Sequence, residues 1–230
     1  MKRTTLAFVV VVLAFAAGCG ASPAPTPTPA EVAQQAATKM IAVNSFHFVI
    51  EVTGQAAYLD ANQTMTLKKA EGDLVKPDRA RAIAKVSTMG MSSEIGIISI
   101  GGQQYATNPL NQKWQEVPPE ARWDLDLARL FDADQGIPAV LQGTTWALGN
   151  PEADSYVLQS KMPYEQLRAL GFGLITSGEV DVQFQIGQSD SYVRRIQIVE
   201  LASDPEKPTT WGITFSAFDT PVDIQPPPVE

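Results

Sequence analysis

Three blocks near the carboxyl end of this chain alternate apolar and polar residues with a period of two. Val180, Val182, Phe184 and Ile186 alternate with Glu179, Asp181, Gln183 and Gln185. A turn at Gly187–Asp190 leads to Tyr192–Leu201, and a turn at Ser203–Pro208 leads to Thr210–Phe218. In the last block Trp211, Ile213, Phe215 and Ala217 share one face. Successive side chains of a strand point to opposite faces, so this alternation marks strands with one buried side. Consecutive strands joined by turns form an antiparallel meander. At about 3.3 Å per residue, Glu179–Ile186 spans roughly 26 Å, long enough for strand twist to curve the sheet. A curved sheet with one long apolar face needs something to cover that face, and this requirement restricts the fold more than any other feature.

The same period recurs upstream. Phe46, Phe48, Ile50 and Val52 alternate with His47, Val49, Glu51 and Thr53. Ala80, Ala82, Ala84 and Val86 alternate along Arg79–Val86, and Gln63–Val75 does so more weakly. Glu94–Ile100 and Gln103–Thr107 flank Gly101-Gly102, a hairpin signal. Lys113–Val117, Thr144–Leu148 and Ser155–Lys161 are predicted as further strands. Helices are expected at four places. Thr28-Pro29-Ala30-Glu31 combines a cap, a first-turn proline and a capping-box glutamate, and Ala33, Ala36, Ala37, Met40 and Ile41 follow at helical spacing. Asp124–Phe131, Ile137–Leu141 and Pro163–Leu170 read as short helices, the last started by Pro163. The expected fold class is α+β: a large curved antiparallel sheet with a few helices covering its concave face.

The amino terminus reads as an export signal. Met1-Lys2-Arg3 precedes an apolar run, Leu6–Ala17, which is shorter than the about 20 residues a spanning helix needs. Ala16-Ala17-Gly18-Cys19 resembles the lipobox of bacterial lipoproteins, in which the peptidase cuts before a cysteine already carrying a diacylglyceryl group. The resemblance implies that residues 1–18 are a signal peptide and that Cys19 is the lipidation site. It places the protein outside the cytoplasm, anchored to the cell membrane by lipid. The competing reading is a secreted protein whose sole cysteine lies near the cut. Ser22–Pro29 holds four prolines and no charge. Such a segment favours extended polyproline II and makes residues 19–29 a semi-rigid linker of roughly 30 Å or less. The folded domain is expected over residues 30–224, with an irregular proline-rich tail at 225–230.

The net charge of −8 argues against nucleic acid as a partner. With Cys19 lipidated, no thiol remains for a disulfide, a zinc site or a nucleophile. His47 is the only histidine and shares a strand face with Glu51 and Thr53. Neither a Gly-x-Ser-x-Gly elbow nor a phosphate-binding glycine loop occurs. Asp132-Ala133-Asp134-Gln135-Gly136 resembles the start of a calcium loop, but its twelfth position is Gly143 and the bidentate glutamate is missing. Glu116, Glu120, Asp124 and Asp126 surround Pro118-Pro119 and read as a solvated loop. No catalytic residue, metal or cofactor is assigned. A hydrolase built on Asp124 and Asp126 is the third reading.

Further stretches carry a family resemblance. They are Val43-Asn44-Ser45-Phe46-His47-Phe48, Gly102-Gln103-Gln104-Tyr105 followed by Lys113-Trp114, Leu127-Ala128-Arg129-Leu130-Phe131, Gly136-Ile137-Pro138, and Ile213–Ile224 with Pro226 just beyond. In this order they resemble the mycobacterial LppX/LprG-type lipoproteins (LppX_LprAFG), grouped with LolA/LolB-like folds. The resemblance implies a half-barrel closed by helices around an apolar cavity that binds lipids or acylated glycolipids and carries them within the envelope. The cavity residues expected on that basis are Phe46, Phe48, Ile50, Val180, Val182, Phe184, Ile186, Trp211, Ile213 and Phe215, with Leu130 and Phe131 from a covering helix. Their strand phase is open, because a one-residue slip inverts a face. The expected partners are a lipid or glycolipid ligand and, through the anchor, a membrane. The alternative is a structural or sensing envelope lipoprotein with a solid core and no ligand.

Overall fold

The computed structural model describes residues 26–59, 63–119, 130, 132–134, 136–168, 175 and 178–229. Cys19, Phe131, the carboxylates Glu120, Asp124 and Asp126, and all of the expected helix Asp124–Phe131 except Leu130 lie outside these residues.

Twelve strands form one antiparallel sheet. They are β1 (Ser45–Thr53), β2 (Ala57–Tyr58), β3 (Met65–Val75), β4 (Arg79–Thr88), β5 (Met91–Ile100), β6 (Gln103–Thr107), β7 (Trp114–Glu116), β8 (Ala147–Leu148), β9 (Ser155–Pro163), β10 (Glu179–Gly187), β11 (Val193–Glu200) and β12 (Thr209–Ser216). The order is β7-β6-β5-β4-β3-β1-β12-β11-β10-β9-β8, with β2 paired to β3 outside this path. Two meanders, β3–β7 and β8–β12, are thus joined by β1, which lies between β3 and β12. The sheet stays open, with β7 and β8 as its free edges.

Alternation sorts the apolar residues onto one side. A single register row runs Leu148, Leu158, Phe184, Ile196, Ile213, Ile50, Ala70, Ala84, Ile95, crossing nine strands from β8 to β5. All but the edge residue Leu148 are buried.

Helix α1 (Pro29–Ala42) begins with the expected capping box: Thr28 accepts from the Glu31 backbone, and Glu31 accepts from the Thr28 backbone. It buries Val32, Ala33, Ala36, Ala37 and Met40 and packs against β9 and α2 (Ile137–Gly143). Small side chains at three of those five positions let the two helices approach closely. α2 buries Ile137, Pro138, Val140 and Leu141.

Four local expectations need correction. Pro163 ends β9 rather than starting a helix, and α3 covers only Glu165–Arg168. A proline is tolerated at either boundary because its missing N–H removes no interior bond, so the residue alone does not discriminate. The strand expected at Thr144–Leu148 is confined to Ala147–Leu148. Strand β5 starts at Met91, three residues before Glu94. Regular alternation along the expected strand Tyr192–Leu201 would set Arg194 and Arg195 on opposite faces, but both are exposed, because the β10–β11 register shifts between Gln185 and Ile186.

The tail has no regular structure, yet it is not free. Ile224 is buried against Ile98 and Tyr105 on the outer side of the sheet, with Val222 and Trp114 packed alongside. Arg79 donates to the Ile224 carbonyl at 3.2 Å, and the Ser45 hydroxyl donates to the Thr220 carbonyl at 2.7 Å.

Candidate functional site: the core-facing side of the sheet

The structure brings ten of the expected residues to one face. Phe46, Phe48 and Ile50 on β1, Val180, Val182, Phe184 and Ile186 on β10, and Trp211, Ile213 and Phe215 on β12 are all buried on the core-facing side. Leu130 joins the same cluster. The sequence reading passed over much of the remainder: Leu158 and Met162 on β9, Ile196 and Ile198 on β11, and Leu67, Ala70, Leu74, Ala80, Ala82, Ala84 and Val86 on β3 and β4. The signal was present in the alternation of β4 and, beyond Arg194, in that of Ile196 and Ile198 on β11. For β3 it was not, because the strand carries a register shift between Leu67 and Lys69 that breaks its phase.

One end of this face is closed by aromatics. Phe46 meets Phe215 edge-on with centroids 5.1 Å apart, and Phe218 lies 6.4 Å from Phe46. Tyr192 stacks on Phe218 at 4.1 Å, and the Lys39 ammonium of α1 sits 4.4 Å from the Tyr192 ring centroid. Over the middle of β10, Trp146 packs edge-on against Phe184 at 5.1 Å, held by its indole N–H donating to the Leu141 carbonyl at 2.9 Å.

The opposite end carries a carboxylate. Glu200 pairs with Val180 and Thr209 and accepts a hydrogen bond from the Trp211 indole. Burial pushes its carboxyl above the ordinary glutamate range, and the indole only partly offsets this. No motif pointed to it, since one glutamate at a strand end looks like any solvated charge.

The outer side carries charged groups where the tail does not cover it. His47, Asp73 and Arg81 face one another across β1, β3 and β4. His47 Nδ1 lies 2.9 Å from Asp73, and Arg81 donates to Asp73 at 2.8 Å. Burial raises the Asp73 carboxyl, but the bonds from His47 and Arg81 outweigh it and hold the carboxyl below its ordinary range. An open groove of about 470 Å³ lies where the tail leaves the sheet, lined by Asn44, Ser45, Val75, Asp219, Pro221, Val222 and Asp223. It is separate from the register rows above. Among the described residues no cluster of three or more His, Cys, Asp and Glu could hold a metal.

The fold has counterparts among solved structures. LprF from Mycobacterium bovis is 16% identical and superposes with a TM-score of 0.67, covering 88% of this chain and 98% of its own. The Mycobacterium tuberculosis lipoprotein LppX, also 16% identical, reaches 0.59 over 86% of this chain and 98% of its own. At such identities the likeness establishes the fold. A LolA superfamily protein from Nitrosomonas europaea also matches, at 10% identity over 84% of this chain and 93% of its own, but its TM-score of 0.28 carries no argument. No curated protein matches the sequence. The LppX_LprAFG lipoprotein profile matches residues 28–224, most of the chain. The open sheet, its core-facing apolar side and this match agree: the chain belongs to the LppX_LprAFG lipoprotein family.

Proposed function

We propose that this protein is a membrane-tethered lipid carrier of the bacterial envelope. Cys19 bears the anchor on the extracytoplasmic side, and the proline-rich linker lets the domain reach away from the membrane. The ligand is a second lipid or acylated glycolipid, held without a covalent bond by its acyl chains at about 0.8 kcal/mol per buried CH₂. Binding and release need no covalent step, so the protein is read as a carrier and not an enzyme. One observation carries the reading. The core-facing side of β3 and β4 carries five residues too small to fill space themselves, Ala70, Gly72, Ala80, Ala82 and Ala84, among the larger Leu67, Leu74 and Val86. Bulkier Phe48, Phe184, Trp211 and Ile213 line the other half and supply the apolar wall.

The alternative is a structural or sensing lipoprotein with a solid core. The near-complete burial of Phe184 and Trp211 favours it for the β9–β12 half. The two readings separate when residues 20–230 are expressed without signal and lipid site, and the extracted material is weighed by mass spectrometry. A carrier brings lipid with it. A clean protein that also takes up no fluorescent lipid sinks the carrier reading.

A further inference from the structure

Large apolar side chains are exposed at one end of the sheet. The β4–β5 hairpin turns at Met89-Gly90, and Met89 is 89% and Met91 71% exposed. Leu110, in the β6–β7 loop, is 94% exposed. Gln112 of that loop donates to the Glu94 carbonyl of β5, which places the loop alongside the hairpin. Tyr58 on β2, paired with Thr66 near the start of β3, belongs to the same end. This is the end of β3 and β4 opposite the one that meets the Phe46 cluster, since Met65 pairs with Thr88 while Phe46 pairs with Leu74.

Two further observations set this rim apart. The first is turn chemistry. Met89 has φ 50° and Gly90 φ 80°, so both central residues of the two-residue loop lie in the left-handed region. Such hairpins favour Asn-Gly or Asp-Gly, and a long side chain at φ > 0 is uncommon. The chain therefore places an exposed methionine where local conformation prefers a short polar residue. The second is charge. In a chain of net charge −8, residues 86–93 and 101–112 contain no charged side chain at all. The charges that flank these stretches in the sequence are Lys85 and Glu94, which pair at 3.4 Å, and Lys113.

The rim is also continuous with the core-facing side. Met91 shares the alternation of Ile95 and Ile97 along β5, and the partly buried Met65 and Leu59 pack against the core at the same end. An apolar, uncharged tip with its charged side chains set behind it is the arrangement that partitions into a bilayer interface, where acyl chains take the apolar groups and headgroups meet the charged ones.

We propose that this rim, formed by Met89, Met91 and Leu110, docks into a lipid bilayer. Docking aims the core-facing side at the membrane and shortens the exposed path of an acyl chain. That purpose rests on the carrier reading above, whereas docking itself does not.

The test uses the full chain with Cys19→Ser, so that an introduced cysteine is the only thiol. Met89→Cys, Leu110→Cys and, at the opposite end of the sheet, Ser189→Cys each receive a bimane label. The proteins are mixed with phosphatidylcholine vesicles carrying a doxyl quencher in the acyl chains. Fluorescence is lost at positions 89 and 110 and kept at 189, however the amino terminus associates with the vesicle. A second variant, Met89→Asn, suits the turn better and raises the melting temperature, yet reduces quenching at Leu110→Cys. Equal quenching at all three positions, quenching at none, or no effect of Met89→Asn overturns the proposal. Lipid extracted from the same preparations reads the carrier function separately: quenching without bound lipid keeps the docking and loses the carrier.

Discussion

The two halves of the sheet solve the same burial problem with different side chains. On β9–β12 the core-facing positions hold Leu158, Phe184, Ile196, Trp211 and Ile213, large groups that fill the space above the strands. On β3 and β4 the core-facing positions include Ala70, Gly72, Ala80, Ala82 and Ala84, set among Leu67, Leu74 and Val86. Hydrogen bonding is continuous across both halves, so the difference lies in side-chain volume. On the carrier reading proposed above, one half makes its own core and the other makes a floor on which acyl chains would rest.

The largest expected effect tests the filled half. Phe184→Ala removes a ring that meets Trp146 edge-on and is fully buried. The loss is about 3–5 kcal/mol, read from a urea denaturation midpoint. The floor is tested next at its tightest point. A Cβ on Gly72 comes 1.9 Å from the Arg81 carbonyl oxygen, so the backbones of β3 and β4 must separate to admit it. Gly72→Ala therefore costs about 3 kcal/mol in the same assay, at the upper end of what overpacking does. Ala84→Leu then distinguishes a floor from a core. It costs less than the roughly 1–3 kcal/mol of overpacking a filled interior, while the amount of co-purified lipid falls. A large loss of stability with no lipid to lose means that this half is solid too.

Smaller effects come from the titrating groups of the two halves. Glu200 belongs to the filled half and has a raised carboxyl, so the folded protein holds its proton more tightly than the unfolded chain. Its contribution to stability is full below the ordinary glutamate value and is lost as pH rises through the raised one. Glu200→Gln flattens that decline in a series of thermal melts across the acid-to-neutral range. Asp73, on the outer side of β3, behaves oppositely. Its lowered carboxyl contributes stability above the ordinary aspartate value, lost as pH falls through the folded one. Asp73→Asn flattens only the acid end, and by little, because its Arg81 partner is half exposed.

Strand-level structure was readable to the extent that alternation stayed in phase. β1, β4, β10 and β12 show it cleanly, and every cavity candidate on β1, β10 and β12 falls on the core-facing side. Where a bulge interrupts the count, as at Leu67 on β3 and Arg194 on β11, reading by period fails because the extra residue inverts every face beyond it. The short β8 and the misplaced helix at Pro163 fail for a different reason: neither boundary residue has a conformational preference that excludes the other element. Glu200 and the Met89 tip were invisible, since burial of one and exposure of the other depend on neighbours distant in the chain.

By itself the sequence determined that this protein is a sheet with one apolar side and a capped helix in front of it, because side-chain period and capping pattern are local properties. Tertiary structure decided the rest. It set β1 between β3 and β12 and so made two meanders one sheet, laid Ile224 over the outer side, and gathered the alanines of β3 and β4 into one half of the core. Those outcomes depend on which strands pair, and pairing is settled by long-range burial and register that no single segment encodes.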